Sequence, residues 1–308
     1  MRTAFINALE ELAAEDPRIT LLTGDLGFSV FEPFIARFPR QFLNCGVAEQ
    51  NMTGVAAGMA LSGKVVFTYS IGNFSTLRCL EQIRNDACYH GANVKVVSVG
   101  AGLAYGPLGS SHHALEDLAI LRALPEMTVV APGDPIEAAA ATRALVSHDG
   151  PCYLRLGKSG EPRVHAEVPD FALGRAIRVS DGNDLTLIAT GTTLKACCDA
   201  AAKLSAEGTS VRLLSMHTIK PLDVEAVRRA AKETSAIVTV EEHSVTGGLG
   251  GAVAEVLAQS DGRRVPFLIM GVRSGFCRVV GSQEYLKAQC GLTVDDIVVN
   301  ANRLIRRL

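Results

Sequence analysis

The sequence lacks the features that would assign it to several special classes of protein. It has no tryptophan, only 5% aromatic residues, and a formal net charge of only −2 at pH 7. No apolar run reaches the roughly 18 residues that a membrane-spanning helix needs. The amphipathic start MRTAFINALEELAAED differs from a signal peptide, in which a charged segment precedes an apolar one. We therefore expect a cytoplasmic protein that binds neither nucleic acid nor a membrane.

Metal-binding patterns of cysteine are also missing. The eight cysteines include no C-x-x-C pair, and no group of Cys and His has the spacing of zinc ligands. In a cytoplasmic protein, scattered cysteines of this kind are mostly small, buried, apolar residues. We predict no metal ion held by side chains of this chain.

Short apolar runs alternate with segments of helical period from one end of the chain to the other. Runs such as ITLLTG, VVFTY and VKVVSV are apolar throughout, which is typical of parallel strands covered on both faces. Residues 161–174 interrupt this rhythm with prolines and charges. The sequence predicts an α/β fold of two doubly wound domains, each a mostly parallel sheet flanked by helices: residues 1–160, a linker over 161–174, and a smaller domain over 175–308.

Glu49 is the first candidate for a chemical role. It lies in NCGVAEQNM, which runs into a Gly- and Ala-rich helix predicted over 49–62. In the first turn of that helix, an exposed carboxylate is stabilised by the helix dipole. A buried one favours its neutral form and can share a proton with a heterocycle. The spacing alone leaves open the simpler interpretation of a capping acid.

The segment GVAEQNM followed by GVAAGMA resembles the pyrimidine-binding domain of transketolases, 1-deoxyxylulose-5-phosphate synthases and the β subunits of 2-oxo-acid dehydrogenases. The similarity continues through FSTLRCLEQIRNDACYHGANVKVV, the run from Gly106 to Pro125, and VVAPGDPIE. In the second half, IKPLD, IVTVEEH and GGLGG are similar to the C-terminal domain of the same family. The resemblance covers nearly the whole chain and implies thiamine diphosphate as the cofactor.

The resemblance implies that four residues lie at the cofactor. Glu49 matches the glutamate that hydrogen-bonds the aminopyrimidine and favours the imino tautomer, which accepts the thiazolium C2 proton. Phe74 matches an aromatic residue that packs on the pyrimidine; the alternative is a core position beside a helix predicted over 75–89. Asp25 and Ile71 match positions near the cofactor, and Asp25 is otherwise an acid in a turn at a strand end.

The resemblance also implies substrate-binding residues. His112 matches the histidine of the family's D-G-x-T-H motif, where an imidazole hydrogen-bonds substrate oxygens or moves a proton near neutral pH. Arg2, Ser29 and Arg155 match positions that hold the substrate phosphate in transketolases, and the planar fork of Arg suits that anion. The alternatives are a strand-end ion pair for Arg155 and an exposed helix position for Arg2.

Two positions depart from the family pattern. Leu108 replaces an acidic residue that contacts a sugar hydroxyl, and a leucine cannot accept a hydrogen bond. Gly100 replaces a histidine, which removes one phosphate contact and should open space. These changes predict an unusual sugar, a bulkier substrate or a non-sugar acceptor.

A partner subunit is predicted from what the sequence omits. Thiamine-diphosphate enzymes hold the diphosphate through Mg²⁺ on a G-D-G motif and a downstream Asn, and this sequence has no G-D-G. The chain resembles only the second and third domains of a transketolase. We expect an N-terminal subunit that carries G-D-G and Asn and holds the diphosphate with Mg²⁺ or Ca²⁺, in an α2β2 assembly.

The predicted function is that of the C-terminal subunit of a split transketolase, active only with its partner. It would transfer a two-carbon ketol unit from a ketose or ketose phosphate to an aldehyde. Two enzymatic alternatives are the β subunit of a 2-oxo-acid dehydrogenase E1 and a 1-deoxyxylulose-5-phosphate-synthase-like enzyme. The residues of the segments IKPLD and ALEDLAILRALP favour transketolase. An inactive scaffold or regulatory subunit is the non-enzymatic alternative, and the presence of Glu49 and His112 argues against it.

Overall fold

The computed structural model describes residues 1–261, 264–273 and 275–306. These residues form two sheets, of seven and five strands, flanked by helices. The predicted α/β class and the mostly parallel pairing of both sheets are confirmed.

The strands of the seven-stranded sheet are β1 (Ile19–Thr23), β2 (Phe42–Asn44), β3 (Val65–Ile71), β4 (Val94–Val99), β5 (Thr128–Val130), β6 (Cys152–Leu156) and one strand from the second half of the chain. The strands of the second half are β7 (Ile177–Ser180), β8 (Leu185–Ala189), β9 (Val211–Ser215), β10 (Thr218–Lys220), β11 (Ala236–Ser244) and β12 (Phe267–Val272). The larger sheet has the order β10-β5-β6-β4-β3-β1-β2, and the smaller has the order β12-β11-β8-β9-β7. In the described part of the chain, only β10 on β5 and β7 on β9 pair antiparallel.

The helices are α1 (Arg2–Glu15), α2 (Glu32–Arg37), α3 (Glu49–Leu61), α4 (Gly72–Ser75), α5 (Leu80–Gln82), α6 (Asp117–Ala123), α7 (Pro135–Val146), α8 (Leu194–Ala206), α9 (Val224–Glu233), α10 (Leu249–Ala258), α11 (Gln283–Gln289) and α12 (Val294–Ile305). Short 3₁₀ turns cover Leu77–Cys79, Gly106–Leu108, Ser110–His112 and Gly191–Thr193, and α5 continues into a π-helical segment, Ile83–Cys88. None of the helices in the described ranges is both long and apolar enough to cross a bilayer.

The larger sheet is buried on both faces, as its apolar strands predict. All five residues of β1 are buried. Leu21 packs with Phe5 and Leu9 of α1 on one face, while Leu22 packs with Met52 of α3 on the other. Burying each such side chain contributes roughly 1.5–3 kcal/mol.

The parallel order gathers several loops at one edge of the larger sheet. Strands β1, β2, β3, β4 and β6 all run in the same direction, so the segments that follow them leave from the same, carboxyl edge. Open parallel sheets bind ligands at this edge. The loop after β2 leads into α3, the segment after β3 contains α4, and the long loop after β4 contains His112.

The helix predicted over 75–89 is interrupted. After α4, the chain forms a 3₁₀ turn, the short α5 and the π-helical segment in succession. Thr76 lies at φ −118°, ψ −80°, outside the helical range, which ends the turn that begins at Gly72. Phe74 therefore lies in a separate short helix, α4, ahead of this break.

The segment predicted as a linker contacts both halves of the chain, at α7 and at the turn between β9 and β10. The Asp134 carboxylate accepts hydrogen bonds from the backbone N–H groups of Val164 and His165 at 2.9 and 3.0 Å. His165 Nε2 lies 2.7 Å from Oε1 of the fully buried Glu137. Further along, the Phe171 ring stacks on the ring of His217, with the centroids 4.0 Å apart.

We expect His165→Gln to destabilise the protein more at low pH than at high pH. The hydrogen bond to Glu137 raises the pKa of His165. A raised folded pKa gives stability that is full below the unfolded value of about 6.5 and is lost as pH rises through the folded pKa. Urea unfolding should show a loss of roughly 1–2 kcal/mol near pH 5.5 and a smaller one near pH 9. The exposed His90, replaced by Gln, is the control; an equal loss for His165→Gln at both pH values would contradict this assignment.

Candidate active site

Glu49 lies at the first position of α3 and is only 2% exposed. Its Oε1 accepts a hydrogen bond from Ser70 Oγ on β3, and its Oε2 accepts one from Arg78 Nη1, each at 2.9 Å. A Cβ at Gly24, directly after β1, would lie 3.3 Å from Glu49 Oε1, so a glycine leaves room for the carboxyl group. The carboxyl therefore sits where β1, β3 and α3 meet.

Arg78 connects this buried carboxyl to the surface. Its side chain is 45% exposed, and its guanidinium carbon lies 4.5 Å from the centroid of the Phe74 ring. This is a cation–π contact, which stabilises the pair by roughly 0.5–2 kcal/mol. Phe74 itself is half-buried in α4. One guanidinium thus fixes both a buried acid and an aromatic ring that is partly open to solvent.

His112 also contacts Phe74. The two rings meet edge to face, with centroids 5.1 Å apart. The Tyr105 ring lies 6.4 Å from the His112 ring, and Lys158 Nζ lies 5.2 Å from the centroid of Tyr105. Ser111 Oγ is 3.0 Å from His112 Nδ1, which leaves Nε2 as the ring nitrogen available to a ligand. The structure therefore connects Glu49 to Phe74 through Arg78, and Phe74 to His112 through their ring contact.

The remaining cofactor candidates border this group. Ile71, the half-buried last residue of β3, directly precedes α4. Asp25 is exposed in the turn after β1, with φ +57°, and accepts a hydrogen bond from Asn44 Nδ2 at 2.9 Å. A left-handed φ is uncommon for a residue other than glycine, and Asn and Asp adopt it most readily. The backbone of Asp25 therefore also fits the alternative interpretation, in which it is simply an acid in a turn at a strand end.

Arg2 and Ser29 differ in their surroundings. Arg2 is half-buried, and among the described residues its Nε has no hydrogen-bond partner. Burial raises the pKa of Tyr105, and the positive charge of Arg2 partly opposes this rise, so Arg2 lies near the Tyr105 end of the site. Ser29 is exposed, and its N–H donates to Glu32 Oε1 at 2.8 Å; no hydrogen bond of the described residues joins it to the Glu49–His112 group.

The phosphate-binding role predicted for Arg155 does not fit the geometry. The side chain is 1% exposed, and its Nε and Nη2 donate to the Asp117 carboxylate at 2.7 and 3.2 Å. Nη2 also donates to the backbone carbonyls of Ala114 and Glu242 at 2.7 and 3.0 Å. Arg155 is an internal link between the two halves of the chain and is not accessible to a substrate.

The space predicted at Gly100 is filled. Gly100 has φ +89°, and a Cβ there would lie 2.2 Å from two atoms of the Tyr105 ring. The missing histidine is therefore replaced by a tyrosine ring from five residues later in the chain. Leu108, the other departure from the family pattern, is 54% exposed on its 3₁₀ turn.

Four residues of this site were not predicted from the sequence: Ser70, Arg78, Tyr105 and Lys158. The sequence positions of two of them could have indicated a place at the site. Arg78 follows Phe74 by four positions, and Lys158 comes shortly after the end of β6, at the carboxyl edge of the sheet. Within the described ranges, no three His, Cys, Asp or Glu side chains group as metal ligands.

Family models and known proteins that are similar to this chain all indicate the same family. The family model for the pyrimidine binding domain of transketolase matches residues 1–162, and the model for the transketolase C-terminal domain matches residues 174–297. The B subunit of apulose-4-phosphate transketolase from Phocaeicola vulgatus is 40% identical over 308 residues, which cover 99% of this chain and 97% of the relative. The 6-deoxy-6-sulfo-D-fructose transketolase subunit SqwH of a Clostridium species is 39% identical over 308 residues, or 100% of this chain and 95% of the relative.

A solved structure described as a split gene transketolase, inactive beta4 tetramer, is similar along its whole length. It has a TM-score of 0.88 and 38% sequence identity, and the match covers 99% of this chain and 97% of that chain.

We expect Gly100→Ala to destabilise the protein more than the same change at a glycine with similar backbone strain but free space. Gly63 is the matched control, because it has φ +92° and no heavy atom of the described residues within 4 Å of the place that a Cβ would take. An alanine at a left-handed position costs about 1–2 kcal/mol at either site. The clash with Tyr105 should add about 1–3 kcal/mol at Gly100. Urea unfolding measures the difference, and equal losses would mean that the Tyr105 ring does not pack against Gly100.

Proposed function

Because this chain belongs to the transketolase family as the C-terminal subunit of a split enzyme, we propose that it transfers a two-carbon ketol unit from a ketose to an aldehyde together with a second polypeptide. The observation that carries the proposal is the buried Glu49 carboxyl, held by Ser70 and Arg78 next to the Phe74 ring. Burial excludes bulk water from this carboxyl, so that it can exchange a proton with a bound heterocycle.

The described residues fit the pyrimidine end of thiamine diphosphate. Glu49 would hold the aminopyrimidine by a hydrogen bond, Phe74 and Ile71 would contact its ring, and Asp25 would lie at the rim. When bound, thiamine diphosphate supplies a nucleophilic carbon and then an electron sink. The diphosphate and its Mg²⁺ or Ca²⁺ are assigned to the partner subunit, because the G-D-G motif that holds them in this class of enzyme is not in this sequence.

The residues of this chain have separate tasks in the proposed reaction. Ser70 and Arg78 fix the orientation of the Glu49 carboxyl, since each occupies one of its oxygens. Glu49 holds and moves the proton that it shares with the cofactor ring. His112, with Nδ1 near Ser111, presents Nε2 to substrate oxygens as a donor or acceptor of hydrogen bonds.

The substrate is proposed to be an anionic ketose. Lys158 lies against Tyr105, and Arg2 is half-buried near the same ring, with an Nε that has no hydrogen-bond partner in the described part of the chain. Two cations on the His112 side of the site suit a phosphate or a sulfonate at the far end of a sugar. The names of two relatives mention sugars of this charge, a 4-phosphate and a 6-sulfo ketose. Leu108, which cannot accept a hydrogen bond, supports a sugar that differs from the usual ones.

The proposed assembly is α2β2, with a partner that carries G-D-G and a downstream Asn. Both relatives are named as single subunits of transketolases, which supports a second chain. The solved neighbour that is described as inactive consists of β chains alone. We therefore expect this chain to be inactive by itself and active after co-expression with such a partner.

Glu49→Gln should lower kcat of the assembled enzyme by about 10²–10⁴-fold, because an amide cannot act as the general acid. Ketol transfer from several ketose phosphates to an aldehyde measures the rate, and size-exclusion chromatography checks that assembly is unchanged. Glu15→Gln, at the exposed end of α1, is the control. Full activity of Glu49→Gln would support an inactive scaffold instead. Decarboxylation of pyruvate without ketol transfer would support the dehydrogenase alternative.

Lys158→Met and Arg2→Met should each raise KM for a phosphorylated ketose by roughly 10- to 100-fold, since a hydrogen bond to a charged group is worth about 1.5–3 kcal/mol. KM for an uncharged ketose should change little. Lys232→Met, on the exposed face of α9, is the control for the loss of one positive charge. Equal changes for charged and uncharged ketoses would reject the anion-binding role.

A further inference from the structure

The loop that carries His112 is anchored in the second half of the chain. This loop, residues 100–116 between β4 and α6, buries Leu103 and Leu115 in the same apolar cluster as Leu187 and Val240 of the smaller sheet. Leu103 is fully buried and Leu115 is 6% exposed. The loop therefore packs into a core that belongs to the smaller sheet.

Glu242 on β11 makes the polar contact at the centre of this anchor. It is fully buried, and its Oε1 accepts a hydrogen bond from the backbone N–H of Leu103 at 2.7 Å. Gly102 has φ +60°, and a Cβ there would lie 2.6 Å from both Cγ and Oε1 of Glu242. Only a glycine lets the loop backbone approach the carboxyl group this closely.

Side chains of the second half hold the Glu242 carboxyl in place. Gln283 Nε2 donates to both of its oxygens, at 2.8 and 3.0 Å, and Thr192 Oγ1 donates to Oε2 at 2.7 Å. Lys287 Nζ lies 3.1 Å from Oε2 and supplies the compensating charge. A buried carboxylate needs such a set of donors, because its desolvation is otherwise costly.

The two ends of the loop are thus held from the same side. Arg155 Nη2 donates to the carbonyl of Ala114 near the end of the loop and also to the carbonyl of Glu242. Leu103 is held near the start of the loop by the Glu242 side chain. His112 lies between these two fixed points, so the freedom of its backbone is limited from both directions.

We propose that Glu242 is a positioning residue: its carboxyl group fixes the backbone at Leu103 and thereby holds His112 against Phe74. The catalytic part of this inference rests on the proposed function. It gives the second domain an indirect part in the reaction, exerted through the backbone of the loop that carries His112.

Hydrogen exchange of the isolated chain, followed by mass spectrometry, tests the contact without any substrate. In Glu242→Ala, exchange of amides in residues 101–114 should become roughly 10-fold faster or more, because the Leu103 N–H loses its acceptor. Glu242→Gln keeps one carbonyl oxygen as an acceptor and should restore most of the protection. Gly102→Ala disturbs the same contact from the loop side and should reproduce the faster exchange. This variant can therefore test the contact even if Glu242→Ala fails to fold.

Glu241→Gln is the matched control. Glu241 is the adjacent buried acid on β11 and accepts hydrogen bonds from the N–H groups of Leu249 and Gly250, each at 2.8 Å, within the second half of the chain. The amide of Gln has one acceptor oxygen, so this variant leaves one of these two N–H groups without its acceptor and disturbs a buried hydrogen bond on the same strand that does not involve the loop. Exchange in residues 101–114 should be unchanged in this variant.

Kinetics of the assembled enzyme complete the test. Glu242→Ala should lower kcat roughly 10- to 100-fold, because displacing a reacting group by about 1 Å has an effect of this size, and Glu242→Gln should recover most of that loss. Two exchange results would overturn the inference: unchanged exchange in both Glu242→Ala and Gly102→Ala, or an increase in exchange rate spread evenly over the second domain. A local rise with unchanged kcat would also overturn it. A local rise when even the unmodified complex shows no ketol transfer would reject the proposed reaction and leave the anchoring contact established.

Discussion

The burial of the Glu49 carboxyl group constrains much of the surrounding structure. A carboxyl removed from water is stable only when fixed donors replace its hydration. Here the donors are Ser70 at the end of β3 and Arg78 beyond α4. Gly24 after β1 lies close to the carboxyl, and a Cβ there would crowd it at 3.3 Å. The position of α3 relative to β1 and β3 and the break in the predicted helix after Phe74 therefore belong to one arrangement around a single acid.

A second set of buried polar groups joins the two halves of the chain. Arg155 and Asp117 form an ion pair that is almost fully buried, and Tyr153 donates to the same carboxylate at 2.5 Å. From this position, Arg155 also donates to the backbone carbonyl of Glu242 in the second half, at 3.0 Å. Removing one partner of such a pair costs about 3–5 kcal/mol, because the other charge is left buried alone. With Glu242 and its donors, this network makes the contact between the halves specific in geometry. Purely apolar packing would tolerate more sliding of the halves.

The sequence was sufficient to predict the fold class and the family. Continuously apolar strands indicate a covered parallel sheet, and the GVAEQNM segment identifies the helix that carries Glu49. The positions of Arg78 and Lys158 carried a signal, but their contacts with Glu49 and Tyr105 could not be predicted, because each joins segments that follow different strands of the sheet. The prediction of open space at Gly100 was wrong for a similar reason. A missing side chain leaves space only when no neighbour fills it, and here the Tyr105 ring does. Arg155 was misread because a family position does not reveal that an internal acid, Asp117, already occupies the guanidinium. The boundaries predicted at 160 and 174 stay predictions.

Strand β10 has a consequence for how this gene can be rearranged. It comes from the second half of the chain, yet it pairs with β5 and closes one side of the larger sheet. A chain cut at residues 161–174 would leave the first half with an open β5 edge, and open strand edges promote aggregation. A gene division between the two halves would therefore separate paired strands, and we expect the halves to stay together on one chain.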